Sequence, residues 1–357
     1  MFVQVASYIF RASMGASSSR LQRAGVGLLS VALLALTACG SEGPQDFLEP
    51  EGPVARQADR LWDIAFGIAV VIFVIVQGLI IYAIIRFRAR PGVEARQFHG
   101  NTKVEVILTV IPALILAGLA VPTVQTVMTL SRKPAGEIIE IKVIARQFWW
   151  EYQYTDLGVT TANEMHVPED VPVYLTLEGD DVIHSFWIPK LTGKQDVIPG
   201  RVNNMQFEAD HPNREYYGQC TEYCGLSHAL MRLRVITHTQ DDFDQWVSEQ
   251  TAPAAAATGS LAQEGERIFL EEELPAGGTC INCHAVQGTD AQATTAPDLT
   301  HFASRGTFAG AIFETNEENL AAWLRDPPAE KPGATMPDYG LSEDQVEALV
   351  AYLMSLK

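Results

Sequence analysis

The stretch CTEYCGLSHALM, from Cys220 to Met231, constrains this 357-residue chain more than any other. It places two thiols, an imidazole and a thioether within one loop, and DVIHSFWIP (Asp181 to Pro189) supplies a second imidazole, His184, a short distance upstream. Thiolates, imidazoles and a thioether form a soft donor set suited to copper. A fold that uses them must bring the 181–189 segment against the 220–231 loop. Two cysteines on one loop can both bridge a pair of copper ions, with His184 and His228 each serving one ion. Met231 is then a weak axial donor to one metal, and a backbone carbonyl near Glu222 can serve the other. Protein fills every position, so the pattern predicts electron transfer and no bond chemistry. A structural zinc site is the plain alternative, but zinc takes no thioether and the C-x3-C-x3-H-x2-M spacing suits it poorly. A Cys220–Cys224 disulfide is available in an oxidising compartment, yet it explains neither histidine.

The chain has five cysteines, and each has a use. Cys280 and Cys283 belong to CINCH, the C-x-x-C-H signature for covalent c-type haem. Their thiols form thioethers with the haem vinyls, and His284 is the expected proximal ligand. A methionine is expected opposite it, because a thioether raises the haem potential relative to a second histidine. Met336, in ATMPDYG after the turn DPPAEKPG, is the candidate. Met354 competes, but it continues the apolar pattern of a final helix (Val346, Leu349, Tyr352, Leu353) and reads as core.

The fifth cysteine, Cys39, ends the apolar run GVGLLSVALLALTAC, which follows Arg20 and Arg23. Residues 1–38 therefore read as a secretory signal. LTAC resembles a lipoprotein box, cleaved before Cys39, which then carries lipid. An ordinary signal or an uncleaved helix is the alternative, and Met14 competes with Met1 as the start.

Two further apolar runs, Ile64 to Ile85 and Val106 to Val124, are long enough to cross a bilayer. Pro112 and Pro122 are expected to bend or end the second. Between the runs, RFRARPGVEARQFHGNTK carries Arg86, Arg88, Arg90, Arg96 and Lys103 against Glu94. That basic loop is expected in the cytoplasm, which puts the copper and haem segments on the extracytoplasmic face of a bacterial plasma membrane.

From about Glu137 to Thr239 the segments EIIEIKVIA, VPVYLTLEG and MRLRVIT alternate β-branched and polar residues between Pro, Gly and Asp turns. The fold class is multidomain: a two-helix transmembrane hairpin (61–130), an all-β cupredoxin-like Greek-key sandwich (131–245) and an all-α class I cytochrome c domain (260–357). The Ala- and Pro-rich stretch within 246–259 reads as a linker. Net charge is −18, and Ser260 to Lys357 holds sixteen Asp and Glu against five Lys and Arg. Such a surface steers a basic protein partner; no nucleic acid partner is expected.

On the Cys220–Met231 loop, the paired apolar runs and the aromatic run QFWWEY (147–152), the chain resembles subunit II of haem–copper cytochrome c oxidases from about Leu61 to Asp244. With CINCH it resembles the caa-type form, which has a fused cytochrome c. The resemblance implies a binuclear CuA centre held by His184, Cys220, the Glu222 carbonyl, Cys224, His228 and Met231. It also implies a magnesium ion near the Glu222 carboxylate, shared with subunit I. Trp149 then corresponds to the residue that receives electrons from cytochrome c, and Glu105 to a glutamate at the mouth of a proton channel. Leu108 stands where the family usually has tryptophan. The implied partners are subunit I, which reduces oxygen and pumps protons, subunit III, and as donor either cytochrome c or a quinol–cytochrome c reductase-type complex. The implied function is to carry electrons from that donor through haem c to CuA and on to subunit I.

Three rivals fit less well. Nitrous oxide reductase also has a CuA domain, but its catalytic copper cluster needs more histidines than the eight present. Quinol oxidase subunit II shares the hairpin and sandwich but lacks the copper donors. A free-standing carrier or copper-delivery protein would not need two spans.

Overall fold

Two long apolar helices lead the chain in the computed structural model, which describes residues 43–357 except 93, 95, 96 and 98. The expected signal and Cys39 lie outside those residues. Helix α1 (Pro53–Arg86) has 34 residues and α2 (Thr102–Leu130) has 29. Each exceeds the length needed to span a hydrocarbon layer about 30 Å thick. Their most apolar windows, of mean hydropathy 3.0 and 2.5, are wholly unburied by protein. Apolar surface on that scale calls for lipid. Asn101 caps α2 by accepting from the amides of Lys103 and Val104. Of the two outcomes expected at the prolines, the structure does not show an end: α2 runs through both Pro112 and Pro122 to Leu130. In lipid, leaving the helix would strand several carbonyls without partners, whereas a proline removes one bond.

Both helices reach beyond their apolar runs and grip the next domain. Val54 and Ala55 are buried, and Arg56 pairs with Asp210. A Cβ at position 52 would collide with the Glu208 carbonyl, so glycine permits the close approach. At the other end of the hairpin, the Gln206 side-chain amide donates to Leu130 O at 2.9 Å and Arg132 O at 3.2 Å.

Ten strands then form a two-sheet sandwich. They are β1 (Ile139–Arg146), β2 (Trp149–Tyr154), β3 (Val159–Ala162), β4 (Glu164–Pro168), β5 (Val173–Gly179), β6 (His184–Trp187), β7 (Lys194–Val197), β8 (Asn203–Phe207), β9 (Glu215–Cys220) and β10 (Arg232–His238). One sheet has the order β3-β2-β1-β5-β8 and the other β4-β10-β9-β6-β7, so neighbours are often far apart in sequence. β1 runs parallel to β5, and β4 parallel to β10. Alternation sets the faces: Ile141, Val143 and Ala145 point inward from β1, as do Leu175 and Leu177 from β5 and Leu233 and Val235 from β10. Full burial of each Ile, Val or Leu among them stabilises by about 1.5–3 kcal/mol. β2 departs from alternation, with Trp149, Trp150, Glu151 and Tyr152 all buried. The haem domain contributes to covering its outer face.

Thr239 caps helix α3 (Gln240–Gln250), which lays Phe243 against the sandwich core. Thr251–Gly259 holds no helix or strand. A second core follows, built on α4 (Ser260–Glu271), α5 (Glu317–Arg325), the short α6 (Pro327–Glu330) and α7 (Glu343–Leu353). α4 crosses α7 at Gly265, where a Cβ would strike the Ala348 carbonyl. A capping box between Ser342 and Gln345 starts α7.

Candidate redox centres

The strand pairing brings the soft donors together. Cys220 ends β9 and faces Phe186 of β6, whose first residue is His184. The amide of Cys220 donates to Met231 O at 2.9 Å, closing the loop between β9 and β10. Cys220 Sγ and Cys224 Sγ are then 3.9 Å apart. His184 Nδ1 lies 3.9 Å from Cys220 Sγ, and His228 Nδ1 lies 3.6 Å from Cys224 Sγ. Met231 Sδ sits 3.9 Å from Cys224 Sγ, and Cys220 Sγ is 3.2 Å from the Glu222 carbonyl. The ligand atoms of His184, Cys220 and Cys224 all fall within 4.8 Å of one another, and these three residues are buried. The residue Glu222 is exposed, with only its carbonyl turned to the sulfur.

Electrostatics suit a cation here. Hydrogen bonding with Cys224 pulls Cys220 below the ordinary thiol range, and His184 assists, while the same partnership and burial push Cys224 upward. One sulfur of the pair is thereby favoured as thiolate. Burial disfavours charge on Asp181, but hydrogen bonds from His184 and the amides of Gln147 and Val182 hold its carboxyl below the usual range. Asp181 Oδ1 accepts from His184 Nε2 at 2.8 Å, which leaves Nδ1 of that ring for a metal. The donor set therefore fits copper: two sulfurs, two imidazoles of which Asp181 orients one, a thioether and a carbonyl.

Cys280 opens a short turn, Cys280–Asn282, and the amide of His284 donates back to Cys280 O at 3.1 Å. Both cysteines are free and partly buried, and burial pushes Cys280 up to about 11. His284 Nδ1 donates to Pro297 O at 2.8 Å, so Nε2 keeps its lone pair. Burial lowers the pKa of His284 and keeps the ring neutral. Cys280, Cys283, His284 and Met336 line one cavity of about 320 Å³. Met354, which like Met336 packs against the second core, borders a separate pocket and not this cavity.

That cavity is complementary to haem. Apolar rings such as Phe269, Phe302 and Trp323 line it, and no Asp or Glu does. Arg305 and Lys331 also line it, at 7% and 3% exposure. Arg305 Nε is buried with no partner, a cationic donor left over for an anion such as a haem propionate. Position 336 presents a thioether to the same space as the His284 imidazole, a donor pair that suits a c-type haem iron.

Part of the cavity wall belongs to the sandwich: Phe148, Trp149, Ala162 and Asn163. Trp149 is 8% exposed and stacks its ring against the Arg146 guanidinium at 5.2 Å. Its neighbour Gln147 donates its side-chain amide to Cys224 O. The segment 147–149 thus touches the copper loop at one end and the haem cavity at the other. Glu105 sits apart, exposed in the first turn of α2. Sequence reading passed over Asp181, Phe148, Arg305 and Lys331. Asp181 stands three residues before His184, which is a readable signal. The others gain their roles only from contacts distant in sequence.

A cupredoxin-type sandwich with a soft donor cluster, joined to a c-type cytochrome fold and to a membrane-length hairpin, defines a membrane-bound electron-transfer protein. Profiles of known families agree: "Cytochrome C oxidase subunit II, transmembrane domain" matches residues 42–126 and its periplasmic domain residues 157–238. "Cytochrome c" matches residues 262–357. Cytochrome c oxidase subunit 2 of Alkalihalophilus pseudofirmus is 39% identical over 337 residues, covering 92% of this chain and 96% of that protein. The Bacillus sp. PS3 protein of the same name is 43% identical over 292 residues (76% and 80%), and that of Bacillus subtilis 35% over 354 (92% and 96%). This chain belongs to the cytochrome c oxidase subunit II family and carries a cytochrome c domain. It binds copper and haem, partners subunit I of a haem–copper terminal oxidase, and holds both redox domains on the outer face of the membrane.

Proposed function

We propose that the chain's own haem reduces its copper centre across residues 147–149, so that an outside donor reaches the copper through the haem. The observation that supports this is the shared wall: Phe148 and Trp149, next to the copper loop, line the cavity that contains Cys280, Cys283, His284 and Met336. When bound, haem and copper supply one-electron chemistry, and neither donor set leaves a position for oxygen. Oxygen reduction and proton translocation belong to the complex.

In this reading two copper ions would be held by Cys220, Cys224, His184, His228, Met231 and the Glu222 carbonyl. Cys280 and Cys283 would hold a haem covalently, His284 and Met336 would bind its iron, and Arg305 would balance a propionate. The exposed Glu222 carboxylate is available to a magnesium ion shared with subunit I. Glu105 collects protons near the membrane face. Trp149, buried against the haem cavity, receives electrons from the fused haem and is closed to an external protein. The domains are the hairpin at 61–130, the copper domain at 131–245 and the haem domain at 260–357. Cys39 is the lipid-bearing residue, and subunit III is a further companion.

The haem domain's charge favours a basic donor such as a cytochrome c, free or within a quinol–cytochrome c reductase-type complex. Of its five cations, Arg305 and Lys331 are buried, while Arg267 pairs with Glu264 and Glu272 and Arg325 with Glu343. The outer surface is left strongly acidic.

Low-temperature EPR and optical spectra of the full chain, matured with copper and haem, test this. The expected result is a mixed-valence copper signal split by two equivalent nuclei beside a c-type haem. A single-copper signal, or bound zinc, would sink the binuclear assignment.

A further inference from the structure

Lys331 is a lysine that is 3% exposed, in a chain where most lysines reach water. Its ammonium donates to Phe148 O at 2.7 Å and to Ala309 O at 2.8 Å. Phe148 belongs to the copper domain, whereas Ala309 and Lys331 belong to the haem domain. An ammonium offers donors only, so two carbonyls converging from two domains are a matched receptor for it. A buried charge without such partners is strongly disfavoured. The contact therefore ties a carbonyl of the copper domain to one of the haem domain through a single side chain.

The neighbouring chain is built around that contact. Gly310 has a φ of +84°. A Cβ there would lie 2.6 Å from Lys331 Nζ, 2.8 Å from Leu230 O and 3.0 Å from Phe148 O. On the other side of Lys331, Pro332 O accepts from the Ser227 hydroxyl, one residue before His228. A Cβ at Gly333 would come within 3.1 Å of Leu226 and 3.4 Å of the Phe148 ring. The segment 331–333 is thus pressed onto the copper loop, and three residues beyond it Met336 enters the haem cavity. One short stretch of chain touches the surroundings of both centres, with Lys331 as its anchor.

We propose that Lys331 is a positioning residue: by clamping Phe148 O to Ala309 O it holds the haem cavity against the copper loop and sets the gap that the electron crosses. This role rests on the reading that the haem feeds the copper centre. Transfer between fixed centres is sensitive to small displacements, as other positioned reactions are. Loosening the clamp should therefore slow transfer without altering either centre.

The test is photoreduction of the haem by a light pulse in the assembled oxidase, followed at the copper absorption band. K331M removes the donors and leaves an unbranched side chain one atom shorter. Its haem-to-copper rate is expected to fall about tenfold or more, with optical and EPR spectra and both midpoint potentials unchanged. K331Q keeps an amide donor and should recover part of the rate. G310A keeps the lysine but sets a Cβ 2.6 Å from its Nζ, which must shift, and should slow transfer independently. Wild-type rates in both K331M and G310A would overturn the role while leaving the haem-to-copper order intact. Absence of such transfer in the unaltered oxidase would overturn that order and the role with it.

Discussion

Asp181 Oδ1 accepts a hydrogen bond from His184 Nε2 at 2.8 Å, and the same carboxylate accepts one from the Gln147 backbone amide at 2.6 Å through its other oxygen. One side chain thus orients a copper donor and ties down the segment that runs to the haem cavity. Replacing Asp181 by Asn keeps the shape but removes the charge. Copper affinity of D181N is expected to fall about 10–100-fold, as losses behind a ligating histidine commonly do. Competition against a chelator of known affinity measures it; an unchanged affinity would show that His184 needs no such partner.

Met336 and Met354 should separate cleanly. Only Met336 lines the cavity with His284. M336H is expected to lower the haem midpoint potential, because imidazole replaces a thioether. M354L should leave it unchanged. Potentiometric titration of the two variants decides between the methionines.

The copper domain carries a second, metal-independent titration. His166 Nδ1 lies 2.8 Å from His238 Nε2, and the His166 ring stacks on Trp246 at 4.4 Å. Burial, with His238 and Arg305 nearby, lowers His166 from 6.5 to about 3. The folded chain binds fewer protons than the unfolded one between those values, so stability rises with pH across that window. The contribution is complete above pH 6.5 and is lost progressively as pH falls toward 3. Thermal unfolding followed between pH 6.5 and about pH 4 should show this slope, and H166F should flatten it. An equally steep curve in H166F would refute the assignment.

Gly265 lets α4 cross α7 at the Ala348 carbonyl. G265A should destabilise the haem domain by about 1–3 kcal/mol, the range for overpacking a close contact. Calorimetry of the haem-loaded chain would show a lower transition for that domain, while the copper-domain transition stays in place. A shift of both would mean the two domains unfold as one unit.

Much of the fold was readable because its signals are local. Alternation in EIIEIKVIA and MRLRVIT marks β1 and β10, and two apolar runs mark the spanning helices. Other features were not, for physical reasons. QFWWEY reads as an aromatic strand, but nothing local says that another domain covers its outer side. Pro112 and Pro122 read as points where the helix bends or ends, yet lipid makes continuing the helix preferable to ending it. α3 begins at a Thr cap with acidic residues behind it, and it runs on to Gln250, beyond the 245/246 boundary read from composition.

The sequence by itself determined the donor types, their spacing and the order of the parts. Those depend on chemistry carried by neighbouring residues, so CTEYCGLSHALM and CINCH state them wherever the chain happens to fold. Only the tertiary structure decided that Phe148 and Trp149 wall the haem cavity, and that Lys331 reaches a carbonyl 183 positions away. Burial and hydrogen bonding at the seam arise when two separately encoded cores pack together, and no local pattern records which of their surface residues will meet.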